Sequence, residues 1–284
     1  MFSATAKLLS IDSFEIYVFG FQILSLGGAF LAARLVICLE YALGLLLIAN
    51  LDRRFTYWAT FATLAAFSLF LFGLILSGNR ENCHCFGEFV NLNPWQSLLK
   101  NLALILILCL SADLEPFPRR RRWIWFAAVA ALSLAAVFIV SPPDNWRYDS
   151  YSLSTTVNEE ALGEALADGT LPSDIMEGDK VVCFYSLKCE FCRMSAQKIG
   201  TMRRMGTFSA APLVAVIGRG EDLVDPKPFF EQARLDCSEW HFIEPARFLR
   251  ITNGEMPLIL VLHEGRIVEK YSYRDIRQGA AQTE

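Results

Sequence analysis

The sequence predicts an α-helical transmembrane bundle followed by an α/β domain. Three observations predict it. The 284 residues divide unevenly in charge: residues 1–141 carry 10 Lys/Arg and 8 Asp/Glu, while residues 142–284 carry 16 and 22. The first half is therefore near +2 and the second near −6. The few charges of the first half sit in short breaks between long apolar runs, and the mean hydropathy of the chain is positive. The second half spreads its charges through short runs in which strand-like and helix-like patterns alternate, as in an α/β domain. An acidic second half gives no reason to expect nucleic-acid binding.

Taken in order, residues 2–9 read either as the tail of a spanning helix or as an interfacial helix. Asp12 and Glu15 have the spacing of a capping box before an apolar stretch. Four apolar segments follow, at 30–49, 57–77, 95–112 and 123–140. A bilayer core of about 30 Å needs about 20 helical residues, so these lengths fit spans. None has the basic, apolar and small-residue order of a cleavable signal peptide. Arg53 and Arg54 lie in one loop, and Arg119, Arg120, Arg121 and Arg122 in another on the same side, whereas the opposite loop holds Arg80. The basic side is the cytoplasm. Tyr57, Trp58, Trp123 and Trp125 mark the inner interface, and Trp95 and Trp146 the outer one. The expected placement is multi-pass in a bacterial inner membrane, with the C-terminal domain periplasmic.

After a linker over 142–156, the domain over 157–284 is expected to hold helices at 158–167, 189–205, 228–234 and 245–251. Strands are expected at 181–185, 212–217, 240–243, 258–262 and 266–271, the last two joined by a His263-Glu264-Gly265 hairpin turn.

Two close cysteine pairs carry the chemistry. Cys189-Glu190-Phe191-Cys192 follows a strand and opens a helix. Helix N-terminal amides and the dipole favour a thiolate, so Cys189 is the expected nucleophile and Cys192 the resolving thiol. Lys188 should favour the Cys189 thiolate and Glu190 oppose it. A static disulfide and a zinc half-site are the competing readings. Cys83-His84-Cys85 lies in the outer loop, where a disulfide would close a small, strained and labile ring. His84, when protonated, would stabilise a neighbouring thiolate. A loop-bracing disulfide and a metal site compete here, although no other His or Cys is expected in the outer loops to complete a metal.

Cys38 and Cys109 lie inside spans. Their depths, roughly 12 and 21 Å below the outer helix ends, differ too much for a disulfide. Cys183 falls mid-strand and reads as inert, and Cys237 as an accessory thiol. Arg34 and Glu40 are intramembrane charges six residues apart, pointing about 120° away from each other. Their partners should come from other helices, with Lys100 one candidate, in a polar clamp or in a proton or quinone role.

The strand leading into Cys189-x-x-Cys192, with Met256-Pro257 ahead of a hairpin, resembles the thioredoxin fold over roughly residues 150–275. The resemblance implies a cis Pro257 lying against the cysteines and an insertion around 218–240. Lys188-Cys189-Glu190-Phe191-Cys192 replaces the family's usual Trp-Cys-Gly-Pro-Cys. Residues 1–112 resemble MauE-type methylamine-utilisation and DoxX-like membrane proteins. The residues that carry this resemblance are Asn82-Cys83-His84-Cys85-Phe86-Gly87, the run from Asn93 to Asn101, Lys7-Leu8 with Phe14-Glu15, and Arg34 with Glu40-x-x-x-Gly44. It implies a bundle tied to making or maintaining disulfides in exported proteins. The layout is also similar to vitamin K epoxide reductase-type fusions.

Together these readings imply a thiol–disulfide oxidoreductase. Cys189 and Cys192 would exchange with exported cysteine-containing clients and with Cys83 and Cys85, and a quinone is the candidate electron partner. No bound cofactor or metal is expected. The alternatives are a maturation factor whose bundle docks one disulfide-rich partner, and a non-catalytic peptide-binding domain.

Overall fold

The computed structural model describes residues 1–49, 53–78, 83, 85–90, 92–110, 122–143, 156–218 and 225–276. The expectations for Arg80, Asn82, His84, Arg119, Arg120, Arg121 and Trp146 lie outside the described residues, as do residues 144–155 of the linker and the start of the insertion. The chain divides into two compact units, one of residues 1–18 and 30–143, the other of residues 19–29 and 144–284.

The first unit is helical. It contains α1 (Phe2–Leu9), α2 (Ile11–Phe19) but for its last residue, α3 (Leu26–Ile48) from Phe30 on, α4 (Arg53–Leu76), a short strand β1 (Cys85–Glu88), α5 (Pro94–Leu110) and α6 (Arg122–Val140). Two of its helices, over Leu26–Ile48 and Arg54–Leu76, are long and apolar enough to cross a membrane, and Pro94–Leu110 and Ile124–Val140 are shorter apolar helices. Polarity in this unit runs opposite to that of a water-soluble bundle. Leu69, Leu76, Leu99, Leu110 and Ile139 are two-thirds or more exposed, while Lys7, Glu15, Arg34, Ser97 and Asn101 are buried. Hydrocarbon stabilises that arrangement, because it solvates leucine and excludes charge.

α1 and α2 are packed into this unit. Ala4 and Phe14 join Ala33, Ile37, Cys38 and Val137 in one apolar cluster. The capping-box expectation is corrected: α2 begins at Ile11, so Asp12 lies within its first turn and is not its cap. The reason is continuity, since α1 ends only two residues earlier.

β1 is seated against α1. Ser3 Oγ and Lys7 Nζ donate to the Cys85 carbonyl at 2.7 and 2.8 Å. Ser13 Oγ donates to Glu88 Oε1 at 2.5 Å. Gly87 has φ +57°, and a Cβ there would collide with Ser10 Oγ and the Ala6 carbonyl. Only glycine satisfies both the left-handed backbone and the close approach.

The second unit holds α7 (Glu159–Ala167), a 3₁₀ turn (Ser173–Met176), β2 (Lys180–Tyr185), α8 (Glu190–Arg204), β3 (Leu213–Gly218), α9 (Lys227–Ala233), β4 (Glu239–Ile243), α10 (Pro245–Ile251), β5 (Leu258–His263) and β6 (Arg266–Tyr271). The five strands form one mixed sheet in the order β4-β3-β2-β5-β6. β2 pairs parallel with β3 and β3 with β4, while β2–β5 and β5–β6 are antiparallel. β2, β3 and β5 are buried along nearly their whole length, which explains their unbroken apolar runs. One core gathers Val182, Phe184, Val214, Val216, Leu258 and Leu260 from these three strands with Leu162, Phe248 and Ile251 from the helices. The hairpin turn places Glu264 and Gly265 at φ 49° and 78°, the two positive values that a tight two-residue turn requires.

Candidate functional site

The Cys189–Cys192 pair is built by the end of β2 and the start of α8. Cys189 is the N-cap of α8, and its Sγ accepts from the Cys192 amide at 3.3 Å. A sulfur at that position meets helix N–H groups that have no intrahelical partner. Cys192, one turn in, is fully buried, and its Sγ accepts from the Ser186 amide at 3.4 Å. Hydrogen bonding from the Cys192 thiol and from the Cys192 and Phe191 amides overcomes partial burial and lowers the Cys189 thiol to about 6. The Cys192 thiol is pushed well above its ordinary value by its bond to Cys189 and by burial. The asymmetry thus comes from hydrogen bonds and not from the charges of Lys188 and Glu190 that the sequence brings forward. Alkylation of Cys189 should follow a sigmoid with midpoint near pH 6, roughly two units or more below an ordinary thiol. Stopped iodoacetamide labelling read by peptide mass spectrometry checks it.

The Met256–Pro257 bond is cis. Pro257 directly precedes β5, whose first residue, Leu258, pairs with Phe184 near the end of β2. The sheet therefore brings Pro257 and the loop into Cys189 to the same end of the β2–β5 pair. Met256 is 37% exposed and Phe191 42%. The Phe191 ring leans on Tyr273 at 5.4 Å between centroids, with the Arg274 guanidinium 5.8 Å from its own centre.

In the first unit, Cys83 and Cys85 come together with their sulfurs 2.7 Å apart. Both are buried, at 5% and 4% exposure. Cys83 Sγ also lies 2.8 Å from Ser97 Oγ, in the first turn of α5. The Cys83 thiol is lowered by its bond to Cys85 and by Ser97 against the opposing effect of burial, while the Cys85 thiol is raised by Cys83 and by burial. Lys100, through its charge, and the Ser97 hydroxyl lower both.

The intramembrane charges find partners other than the one the sequence suggests. Glu40 Oε1 pairs with Lys7 Nζ at 2.7 Å, and Arg34 pairs with Glu15. Lys100 instead lies over the Phe86 ring, 4.6 Å from its centre. Lys7 also donates to Ser3 Oγ at 2.7 Å, so one buried ammonium joins α1, α3 and the cysteine strand. Lys7 and Ser97 enter the sequence reading only through the resemblance, Ser97 within the run from Asn93 to Asn101, and neither has a role there. A lysine in an apolar helix is a readable signal, since a buried cation must find acceptors; a serine carries no such mark. Cys38 and Cys109 stay apart: Cys38 Sγ faces the Ser133 carbonyl at 3.7 Å, and Cys109 takes the Tyr57 hydroxyl at 3.7 Å. Cys183 is fully buried, and burial raises its thiol to about 12. Among the described residues, no group of three or more His, Cys, Asp or Glu is placed to hold a metal ion.

Comparison with known proteins fits this division. The chain is 26% identical over 272 residues to protein TlpB of Flavobacterium psychrophilum, covering 78% of this chain and 74% of that one. No solved structure gives a significant match. Residues 1–114 match the family described as methylamine utilisation protein MauE, so the N-terminal helical part of the chain is similar to that membrane family and is followed by a C-terminal α/β domain.

Proposed function

We propose that the protein is a membrane-anchored thiol–disulfide oxidoreductase. In this reading residues 1–141 form a four-span MauE-like bundle, 142–156 a linker, and 157–284 a thioredoxin-like domain on the periplasmic face of a bacterial inner membrane. The observation that carries it is Cys189 at the N-cap of α8, half-buried, with the fully buried Cys192 one turn behind. That arrangement separates an accessible thiolate from a protected thiol, which is what reversible exchange with a client disulfide needs. The TlpB-like extent of the chain and its MauE-like first unit support the same reading. Cys83 and Cys85 would then exchange with Cys189 and Cys192, and a membrane quinone would be the electron partner.

A second reading is favoured by one observation, the burial of both Cys83 and Cys85. Here the pair braces β1, and the bundle serves as a docking platform for a disulfide-rich exported partner. Alanine at Cys83 and Cys85 separates the two. Under the relay, acid-quenched thiol trapping in membranes finds Cys189 and Cys192 locked in one redox state, and added quinone no longer changes it. Under the brace, their cycling stays at the wild-type level and only maturation of the partner falls. Wild-type membranes in which Cys189 and Cys192 never change redox state would remove both.

A further inference from the structure

We propose that Cys83 is the attacking thiolate of the membrane-proximal pair, held by the Ser97 hydroxyl at the N-terminus of α5, with Cys85 as its resolving thiol. This rests on the reading that the pair undergoes disulfide exchange.

The two sulfurs have different surroundings. Ser97 is fully buried, and its Oγ lies 2.8 Å from Cys83 Sγ. The start of α5 is fixed by a reciprocal box: the Gln96 amide donates to Asn93 Oδ1 at 2.8 Å, and the Asn93 amide to Gln96 Oε1 at 3.1 Å. The Cys83 amide donates to the Leu92 carbonyl at 3.0 Å, which seats Cys83 beside that helix start. A helix N-terminus and a hydroxyl donor both stabilise an anion. Lys100, one turn beyond Ser97, adds a positive charge that acts on both sulfurs, so the direct contact with Ser97 and the seat beside the helix start are what set Cys83 apart. Cys85 is held by its backbone instead, its carbonyl accepting from Ser3 and Lys7. That grip leaves the Cys85 sulfur to move toward Cys83 without losing the strand.

In the forward direction the Cys83 thiolate attacks one sulfur of an incoming protein disulfide. The partner's S–S bond breaks, and its other sulfur leaves as a thiolate that takes a proton from solvent. Cys85 then passes its proton to the departing partner sulfur as it attacks Cys83 Sγ, so that the Cys83–partner bond breaks, the second partner sulfur leaves as a thiol and the Cys83–Cys85 disulfide closes. The pair is oxidised by two electrons, the partner is reduced by two, and Ser97 keeps its proton throughout while its hydrogen bond holds the charge on Cys83. On reversal the same bond stabilises Cys83 as the leaving thiolate.

The test uses the full chain in detergent micelles, labelled with iodoacetamide between about pH 5 and 10, with Cys83 and Cys85 followed separately by peptide mass spectrometry. Cys83 should label first. Ser97→Ala should move the midpoint of Cys83 labelling up by about one unit, which slows labelling about tenfold at pH 5 and only about twofold at pH 7. Ser97→Thr, which keeps the hydroxyl, should stay near wild type. Labelling of Cys85 before Cys83 in the wild type would overturn the assignment without any variant, as would an unmoved midpoint in Ser97→Ala. Labelling reports the thiolate whether or not exchange occurs. A Cys85→Ser variant, which keeps a hydrogen-bond donor beside Cys83, that labels at Cys83 as expected yet never captures a protein on Cys83 would sink the exchange reading and leave the thiolate assignment standing.

Discussion

The Cys192→Ala variant should accumulate proteins bound to Cys189 through mixed disulfides, while catalytic turnover falls to background. Cys189 retains its N-cap position and its bond from the residue-192 amide, so it still attacks. What is lost is the buried thiol that would release the adduct. Cys192 is fully buried behind the half-buried Cys189, so no outside thiol substitutes efficiently for it. Acid-quenched membranes run on non-reducing gels, with mass spectrometry of the linked peptides, give the readout. Adducts should vanish on reduction and be absent from Cys189→Ala. An adduct joining Cys189 to Cys83 or Cys85 of the same chain supports the internal relay. Wild-type-like turnover in Cys192→Ala, with no reducible adduct, would show that the pair is not a resolving system.

The two cysteine pairs share a physical plan although they sit in different units. Each has one sulfur beside a helix start; the other is fully buried in the second unit and as buried as its neighbour in the first. In the second unit the helix start is α8 and the stabilising donors are amides. In the first it is α5, and a serine hydroxyl lies in hydrogen-bond contact with the sulfur. Charge on neighbouring side chains contributes less than these short bonds, because a hydrogen bond to the anion acts at contact distance while a lysine on a flexible stem is partly screened.

How much of this was legible in the sequence follows from which forces are local. The strands and helices of the second unit, α10 and β6 to the residue, are set by short-range apolar patterning and by turn chemistry at Pro245, Glu264 and Gly265, all of which the sequence displays. The position of Cys189 is legible for the same reason, since a cap is a local event. The 3₁₀ turn at Ser173–Met176 and the strand at Cys85–Glu88 were not anticipated. β1 exists because α1 offers Ser3 and Lys7, and the junction with α2 and its first turn offer Ser10 and Ser13, across about 80 residues of chain, and no local pattern announces such a contact. The partners of Arg34 and Glu40 were missed similarly. Spacing shows that a buried charge needs a partner, but packing decides that it is Glu15 or Lys7 and not Lys100.

Arg34 carries the largest expected effect on stability. Both Arg34 and Glu15 are essentially without solvent contact, at 1% and 0% side-chain exposure. Besides Glu15, the guanidinium donates to the Phe30 carbonyl at 2.8 Å, to the Ser141 carbonyl at 2.8 Å and to the Pro142 carbonyl at 2.9 Å. It therefore ties α2 and α3 to the carbonyls left open where α6 ends. Arg34→Leu removes the cation from beside the buried Glu15 carboxylate and the donor from those carbonyls. Removing one partner of a buried pair costs about 3–5 kcal/mol, against a typical folding margin of about 5–15 kcal/mol. Thermal unfolding in detergent, followed by intrinsic fluorescence, should show a large loss for Arg34→Leu and a smaller one for Glu15→Gln, which keeps a hydrogen-bond acceptor. The Glu15→Leu/Arg34→Leu double variant should recover part of the loss of Arg34→Leu, because it leaves no charge unpaired, but not the part owed to the Ser141 and Pro142 carbonyls. This pattern belongs to a clamp. If Arg34→Leu instead unfolds at the wild-type midpoint while cysteine exchange stops, Arg34 serves the redox chemistry directly and the clamp interpretation fails.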